Sequence, residues 1–374
     1  MEKLFNEKNE CCGCSACQSV CPVGAIEMVE DQYGFLFPVV DDSKCINCRK
    51  CKKVCPMTNV EGKEIDSVYA AVLDDAAVDN SASGGAFYAV AKAFINHGGH
   101  IFGCAFDKNL KPIHIEVSTL SELILLQGSK YVQSEMECYQ RIKELLEKNI
   151  KVLFSGTPCQ VAAIKRYIGN DCKNLFCIEI VCHGVPNRKL WKDYIEYLGR
   201  VKHGTVKRFE FRAKGIGKKF YSRYVIEKRN AEKIVILPST LSSYYYNFLQ
   251  GKIYRHSCYS CPFANEKRQA DITLCDYWGY NGIKFKGKQD ISAVLIQGEK
   301  GFELFENAKH FLEIEESTFH DVADNNEQLR KPSNINKYDE SLFIKWKESG
   351  ISGIERIHRR KHWKAYIMNK LGLL

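Results

Sequence analysis

The chain has 374 residues, 45% of them hydrophobic and 26% charged, with a formal net charge of +9. This is the composition of a soluble protein with core enough for one to three domains. No stretch reaches the roughly 18–20 apolar residues of a bilayer-spanning helix, and Met1–Lys8 carries no apolar segment of a secretory leader.

The first notable stretch is Cys11-Cys12-Gly13-Cys14-Ser15-Ala16-Cys17-Gln18-Ser19-Val20-Cys21-Pro22, and its pattern returns at Cys45-Ile46-Asn47-Cys48-Arg49-Lys50-Cys51-Lys52-Lys53-Val54-Cys55-Pro56. Both read C-x2-C-x2-C-x3-C-P, the spacing of a bacterial two-cluster ferredoxin. There, three thiolates of one run and the last thiolate of the other hold each [4Fe-4S] cube. Cys11, Cys14, Cys17 and Cys55 are therefore expected at one cluster, and Cys45, Cys48, Cys51 and Cys21 at the other. Zinc is the alternative, but it takes two pairs of ligands and each run here supplies four cysteines. Cys12 fits no ligand position and reads as a bystander. Between the runs, Ala25–Val29 and Tyr33–Val40 read as short strands around a turn, consistent with a small ferredoxin domain (a βαββαβ-like pseudo-repeat) over residues 1–62. The polar Glu61-Gly62-Lys63-Glu64 is the expected linker.

A larger mixed-sheet α/β region, residues 63–345, follows. Val68–Leu73 is a buried-strand run. Ser81-Ala82-Ser83-Gly84-Gly85 opens a helix whose apolar period runs from Ala86 to Ile95 and stops at Gly98-Gly99. A strand through His100–Phe106 follows. Ser134 with Glu137 predicts a capping box for a helix to about Lys148. Lys151–Phe154 is a strand, turned by Ser155-Gly156-Thr157-Pro158 into a helix with Thr157 as cap and Pro158 at its first position. Asn174–Val181 is a buried strand that delivers Cys182-His183-Gly184-Val185-Pro186, with a helix expected from Pro186 to about Gly199. Residues 205–237 alternate as a hairpin or meander rich in Lys and Arg. Ala270–Gly279 runs strand into turn, Ile291–Ile296 is a strand, and a helix follows from about Lys300. Residues 346–374 form a basic C-terminal helix.

Eighteen cysteines beside two ferredoxin runs read as metal ligands in a reducing, cytoplasmic compartment of an anaerobe. Cys159, Cys182, Cys258 and Cys261 sit at strand ends or turns, on the edge where open α/β sheets bind ligands. They suit a third [4Fe-4S] cluster, with a Cys258-x2-Cys261 zinc knuckle plus two core cysteines as the alternative. Cys104, Cys138, Cys172, Cys177 and Cys275 read as packing residues. The turns at Ser83-Gly84-Gly85 and Ser155-Gly156-Thr157 each open a helix N-terminus able to take a phosphate, and either fits a pyrophosphate or a plain cap. No G-x-G-x-x-G or Walker lysine motif is present, which argues against a Rossmann NAD site and against ATP chemistry.

Together these segments resemble the coenzyme F-420 hydrogenase/dehydrogenase beta-subunit family. The resemblance is carried by Ser83-Gly84-Gly85, Ser129–Ser134, Phe154–Gln160, Val181–Pro186 and Cys258-x2-Cys261 followed by Ala270-Asp271-Ile272, over roughly residues 65–300. It implies an iron–sulfur flavoprotein, with FAD beside the third cluster and residues 63–345 as the flavin-binding domain. One departure stands out: Cys275 occupies the position before Asp276 where the family pattern has glycine, a side chain expected either to alter the flavin pocket or to serve as an unexpected ligand.

The leading expectation is an oxidoreductase that passes electrons between ferredoxin, or another redox partner protein, and FAD. The flavin would exchange hydride with a small-molecule substrate or deazaflavin-type coenzyme. Ser83, Gly84, Gly85, Lys130, Gly156 and Thr157 are the expected flavin contacts, with a solvated surface lysine as the alternative for Lys130. His183 is the candidate proton donor, or else a structural histidine of its turn. The alternative function is an electron-transfer subunit without its own substrate, using Arg359, Arg360, Lys361 and Lys364 to dock. A zinc-dependent nucleic-acid binder is disfavoured by the ferredoxin spacing. The charge of +9 overstates the basicity, because it omits the negative clusters. Trp363, Ile367 and Leu371 share one face of the tail, which suits peripheral contact with anionic membrane or packing on its own domain.

Overall fold

A computed structural model of the protein describes residues 4–214, 220–229 and 231–371. At the N-terminus, strands β1 (Ile26–Glu30) and β2 (Leu36–Val40) form an antiparallel hairpin. One-turn helices Ala16–Ser19 and Lys50–Lys53 flank it, one inside each cysteine run. Each helix is entered through a left-handed residue, Ser15 (φ 64°) and Arg49 (φ 59°), so the two runs fold alike. The outer strands of the expected pseudo-repeat have no counterpart among the described residues of this module. The chain after the second run is drawn away instead: Lys63 pairs in antiparallel fashion with Arg268 of the larger region.

That region is built on β3 (Ser67–Leu73), β4 (His100–Phe106), β5 (Pro112–Val117), β6 (Val152–Gly156) and β7 (Leu175–Ile180). A meander, β8 (Thr205–Glu210), β9 (Tyr221–Lys228) and β10 (Ala231–Pro238), follows. Then β11 (Ile272–Asp276), β12 (Ser292–Ile296) and β13 (Leu312–Ser317) return to the main sheet. Among the described residues the main sheet runs β13-β3-β12-β11-β7-β6-β4-β5, and the meander forms a separate three-stranded sheet. Strands β4, β6, β7 and β11 pair in parallel. Their carboxyl ends therefore share one edge, where a parallel sheet presents its ligand sites.

Helices Ala86–Asn96 and Gly298–Ala308 cover one face, burying Val90, Phe94, Leu304 and Phe305 against Ile101, Leu153 and Phe176. Helices Tyr139–Glu147 and Pro158–Ile168 cover the other, over Phe102, Val152 and Phe154, and the N-terminal module adds Ala16 and Val54 to this same core. The module is thus packed into the second face of the sheet. An aromatic lobe completes it: Phe35 and Phe37 join Trp191, Phe211, Tyr245 and Phe343 in one cluster.

Two helix starts differ from expectation. Ser134 does not cap a helix; the helix begins at Tyr139, after Cys138. Residues 134–135 stay extended because Glu135 exchanges backbone hydrogen bonds with His114 and Pro112, and Ser134 is claimed by a buried network described below. The helix expected at Pro186 begins at Arg188 instead, with Asn187 Oδ1 accepting from the Leu190 amide at 2.7 Å. At the C-terminus a helix over Glu340–Lys361 kinks at Gly350 and is followed by Trp363–Lys370. Trp346, Ile351 and Ile354 are buried in the aromatic lobe, whereas Trp363, Ile367 and Leu371 are exposed. The last three residues of the expected tail helix, 372–374, lie outside the described residues. Among the described residues no helix is long and apolar enough to cross a membrane.

Candidate functional site

Cys21, Cys45, Cys48 and Cys51 line one cavity at the rim of the N-terminal module, and Cys48 is exposed. Cys11, Cys14, Cys17 and Cys55 line the next, together with Cys12 and Cys51. These are the two groups expected from the spacing. The second group is anchored from the sheet side. Tyr139 donates to the Cys14 carbonyl at 2.8 Å, Gln133 Nε2 to the Cys12 carbonyl at 2.9 Å, and Arg166 Nη1 to the Cys55 carbonyl at 2.5 Å. Arg255, fully buried, donates to the carbonyls of Cys11 and Leu36 and lies over the Phe37 ring. Each anchor satisfies a loop carbonyl near the thiols, so the module's geometry is set by the larger domain.

Cys159, Cys182, Cys258 and Cys261 line a third cavity of about 590 Å³, counting its open mouth. Cys159 lies in the first turn after β6, Cys182 just past β7, and Cys258 and Cys261 within and after a short turn over His256–Ser260. Gly184 makes the convergence possible. Its φ is +140°, and an added Cβ would lie 2.4 Å from the Tyr254 ring. A fifth thiol, Cys12, also lines this cavity. It is buried between Cys14 and Cys159, which corrects its reading as a bystander. Hydrogen bonding from Cys12 and then Thr157 holds the Cys159 thiol down at about 7, against the opposing effect of burial. Burial pushes Cys258 up to about 12 and Cys261 to about 11.

In each group the thiols surround a space instead of closing on a point. Among the described residues no three His, Cys, Asp or Glu side chains converge on a single metal ion. Thiols set around a cavity can hold a cube at its corners.

A fourth and larger cavity, about 1250 Å³ counting its open mouth, lies at the carboxyl edge of the parallel strands. Ser83, Gly85, Lys130, Gly156 and His183 line it; Thr157 lines the third thiol cavity instead. Gly84 stands behind the wall: an added Cβ would lie 2.4 Å from the Ala71 carbonyl and 2.6 Å from the Ser292 amide. Helix Ala86–Asn96 opens onto the cavity through Gly85, Ala86 and Phe87, so its free amides favour an anionic group there. Lys130 is not a solvated surface lysine. Its ammonium donates to the carbonyls of Gln127 (2.6 Å) and Leu125 (3.1 Å), and burial lowers it to about 8. His183 faces open cavity space but is surrounded by protein, and the resulting desolvation holds its imidazole below the usual range.

Some residues of this site carry no sequence motif. Arg212, two residues beyond the end of β8, donates to Asp276 at 2.5 Å and lies 5.4 Å from the Trp278 ring; all three line the cavity. Lys214 donates to the Ser83 carbonyl at 2.6 Å, tying that loop down. Cys104 and Cys275, read as packing residues, line the cavity as well, whereas Cys138, Cys172 and Cys177 pack in the core. Cys275 is thus a wall residue of the large cavity, not a member of the third thiol group.

His114 anchors the loop between the cavities. Its Nε2 donates to the Ser155 carbonyl (3.2 Å), and its Nδ1 accepts from Ser134 Oγ (3.2 Å). Ser134 Oγ accepts from Gln160 Nε2 (2.9 Å), and Gln160 Oε1 accepts from the Thr157 amide (3.0 Å). This chain fits a neutral imidazole, in keeping with burial lowering His114 to about 4; the Glu135 carbonyl also lies 3.4 Å from Nδ1. The only sequence trace of it was a histidine in a strand.

Thiol groups beside an open cavity at the carboxyl edge of a parallel sheet point to an iron–sulfur electron-transfer protein of the oxidoreductase class. The family comparison agrees. Residues 150–322 match the family model for the C terminus of the coenzyme F420 hydrogenase/dehydrogenase beta subunit, and residues 10–59 and 37–83 match two 4Fe-4S dicluster domain models. The chain therefore carries the C-terminal domain of the coenzyme F420 hydrogenase/dehydrogenase beta subunit, with 4Fe-4S dicluster sequence in front of it. Solved chains that match include one from the F420-reducing [NiFe] hydrogenase complex of Methanosarcina barkeri, studied by xenon derivatization. It aligns at 16% identity and a TM-score of 0.46, over 81% of this chain and 91% of that one. No curated protein matches.

Proposed function

We propose that the chain is an iron–sulfur flavoprotein oxidoreductase. It would hold two [4Fe-4S] clusters in the N-terminal module, a third on Cys159, Cys182, Cys258 and Cys261, and FAD in the large cavity. One observation carries this reading: the four cavities adjoin in a row. Cys51 lines the first and second, Cys12 and Met57 line the second and third, and His183 lines the third and fourth. A protein that moves electrons singly needs such a contiguous series of sites from its surface to its reaction cavity.

When bound, clusters of this kind supply one-electron carriage, and a flavin supplies its exchange for a two-electron hydride with an organic substrate or deazaflavin-type coenzyme. The protein's own contributions follow from the geometry. Arg255, Tyr139 and Gln133 fix the loop of the first cysteine run. Lys130, bound to two loop carbonyls, places a positive charge on the cavity wall, where it favours a developing anion. Arg212 is oriented by Asp276. His183 stands at the shared wall of the third and fourth cavities, placed to donate or relay a proton.

The test is iron, sulfide and flavin content of the full chain purified and reconstituted anaerobically. About twelve irons and one FAD per chain support the reading. About eight irons without flavin would leave an electron carrier with no hydride chemistry. The isolated, loaded chain is then assayed for reduction of a deazaflavin coenzyme. Failure there with full cofactor content points to the electron-transfer subunit without its own substrate.

A further inference from the structure

The first thiol cavity is set apart from the others by its surroundings. Cys48 is exposed. Ile46 and Val23, which line the same cavity, are 61% and 40% exposed. Arg49 and Lys50 line the same cavity, and Lys53 ends the short helix that Lys50 begins; all three are exposed and make no ion pair among the described residues. Lys44 adds a fourth cation, held to Asp41 at 3.1 Å, and Asp42 is the exposed acid of the loop. By contrast the second thiol group is enclosed by Arg255, Tyr139, Gln133 and Arg166 of the larger domain. Solvent-exposed apolar residues rimmed by uncompensated charge of one sign are the features of a transient, electrostatically steered interface.

We infer that the surface formed by Val23, Ile46, Cys48, Arg49, Lys50 and Lys53 is the docking face for a small acidic one-electron carrier protein. This rests on the proposed electron-transfer reading and adds to it the place and chemistry of the partner. The occupant is acidic because the rim is basic. It is not a second copy of this chain, because a two-fold contact would set the same cations against one another. It meets the protein at the thiol group nearest solvent, which starts the row of adjoining cavities. The basic C-terminal helix lies elsewhere and carries no thiols, so its charge does not serve this exchange.

The test uses the full reconstituted chain and a small acidic bacterial ferredoxin, reduced beforehand, in anaerobic stopped flow. The second-order rate of electron transfer is followed against salt, with variant Lys50→Glu/Lys53→Glu and control Arg360→Glu/Lys361→Glu/Lys364→Glu. Between low and about 0.5 M salt the wild-type rate is expected to fall by about tenfold or more. The Lys50/Lys53 variant is expected to be slower by about tenfold at low salt and to converge on wild type at high salt. The tail control should stay within about twofold of wild type. Iron content and dithionite reduction of the variant report that its clusters are intact; should it fail to load, Ile46→Asp replaces it and should slow the rate at every salt concentration. A salt-independent wild-type rate, a variant defect that persists at high salt, or a larger defect in the tail control would overturn the inference. So would a wild-type dimer in sedimentation that the variant loses. A wild-type chain with fewer than about eight irons would instead refute the electron-transfer reading itself.

Discussion

Replacing Glu179 by Gln tests how the site is held from behind. Glu179 is fully buried on β7. Its Oε1 accepts from Arg268 Nε (2.6 Å) and Thr273 Oγ1 (3.0 Å), and its Oε2 accepts from the Gln269 amide (3.1 Å). Arg268 is 1% exposed, lines the third thiol cavity, and pairs through its backbone with Lys63 of the linker. Glutamine keeps the shape but removes the counter-charge, and its amide nitrogen must face either the guanidinium or the Gln269 N–H. Leaving one member of a buried pair uncompensated costs about 3–5 kcal/mol. At about 2–4 °C per kcal/mol for a unit of 150–250 residues, the Tm should fall by roughly 6–20 °C. The assay is anaerobic thermal unfolding followed by far-UV circular dichroism. The double variant Glu179→Gln/Arg268→Leu, which removes both charges, should recover part of the loss. A fall in the single variant under about 2 °C, or a double variant less stable than the single, would refute the reasoning.

Three further outcomes are expected. Cys182→Ala should retain about eight of about twelve irons, whereas Cys12→Ala should retain the full set but shift the reduction potentials of the two flanking clusters in an EPR titration, because hydrogen bonds to cluster sulfurs set potential; equal iron loss in both would make Cys12 a ligand. Gly84→Ala should cost flavin and soluble yield while Gly98→Ala does not lose flavin, since the added methyl at Gly84 meets backbone atoms at 2.4 and 2.6 Å and the one at Gly98 meets nothing within 4 Å; flavin content of the two variants decides it. His114, neutral in the fold at about 4 against about 6.5 unfolded, contributes stability that is full above pH ~6.5 and is lost as pH falls toward ~4, because only the unfolded chain binds the proton in that window. His358, also lowered to about 4, acts the same way and Glu355, raised to about 6 by burial, the opposite way, so the check is that the Tm difference between pH 7 and pH 5 shrinks in His114→Gln.

What was legible in the sequence was local. The two cysteine runs fix their own turns, and each enters its short helix through a left-handed residue. Thr157-Pro158 starts its helix where those residue types must, because a cap and a first-turn proline need only neighbours a few positions away. Ser83-Gly84-Gly85 opens its helix for the same reason. Ser134 shows the limit. Its spacing to Glu137 fits a capping box, yet Gln160 and His114, distant in sequence, take its hydroxyl for a buried network worth more than a cap. The chain after the second cysteine run shows the same limit, because Lys63 finds a partner in Arg268 that no local pattern reveals.

Cys12 marks the same boundary from the other side. Within its run it has no ligand position, and spacing alone makes it surplus. Its surroundings are set by the packing of Ala16 and Val54 onto the sheet face that also carries the helix of Cys159. Once those surfaces meet, the extra thiol falls between Cys14 and Cys159 and is sealed from solvent. The same docking brings the second and third cavities to a common wall at Cys12 and Met57. A free-standing ferredoxin module would place neither residue against a second thiol group. The anchors at Arg255, Tyr139 and Arg166 therefore bring two thiol groups together as well as packing the N-terminal module onto the sheet, and weakening them should separate the two groups before it unfolds either part.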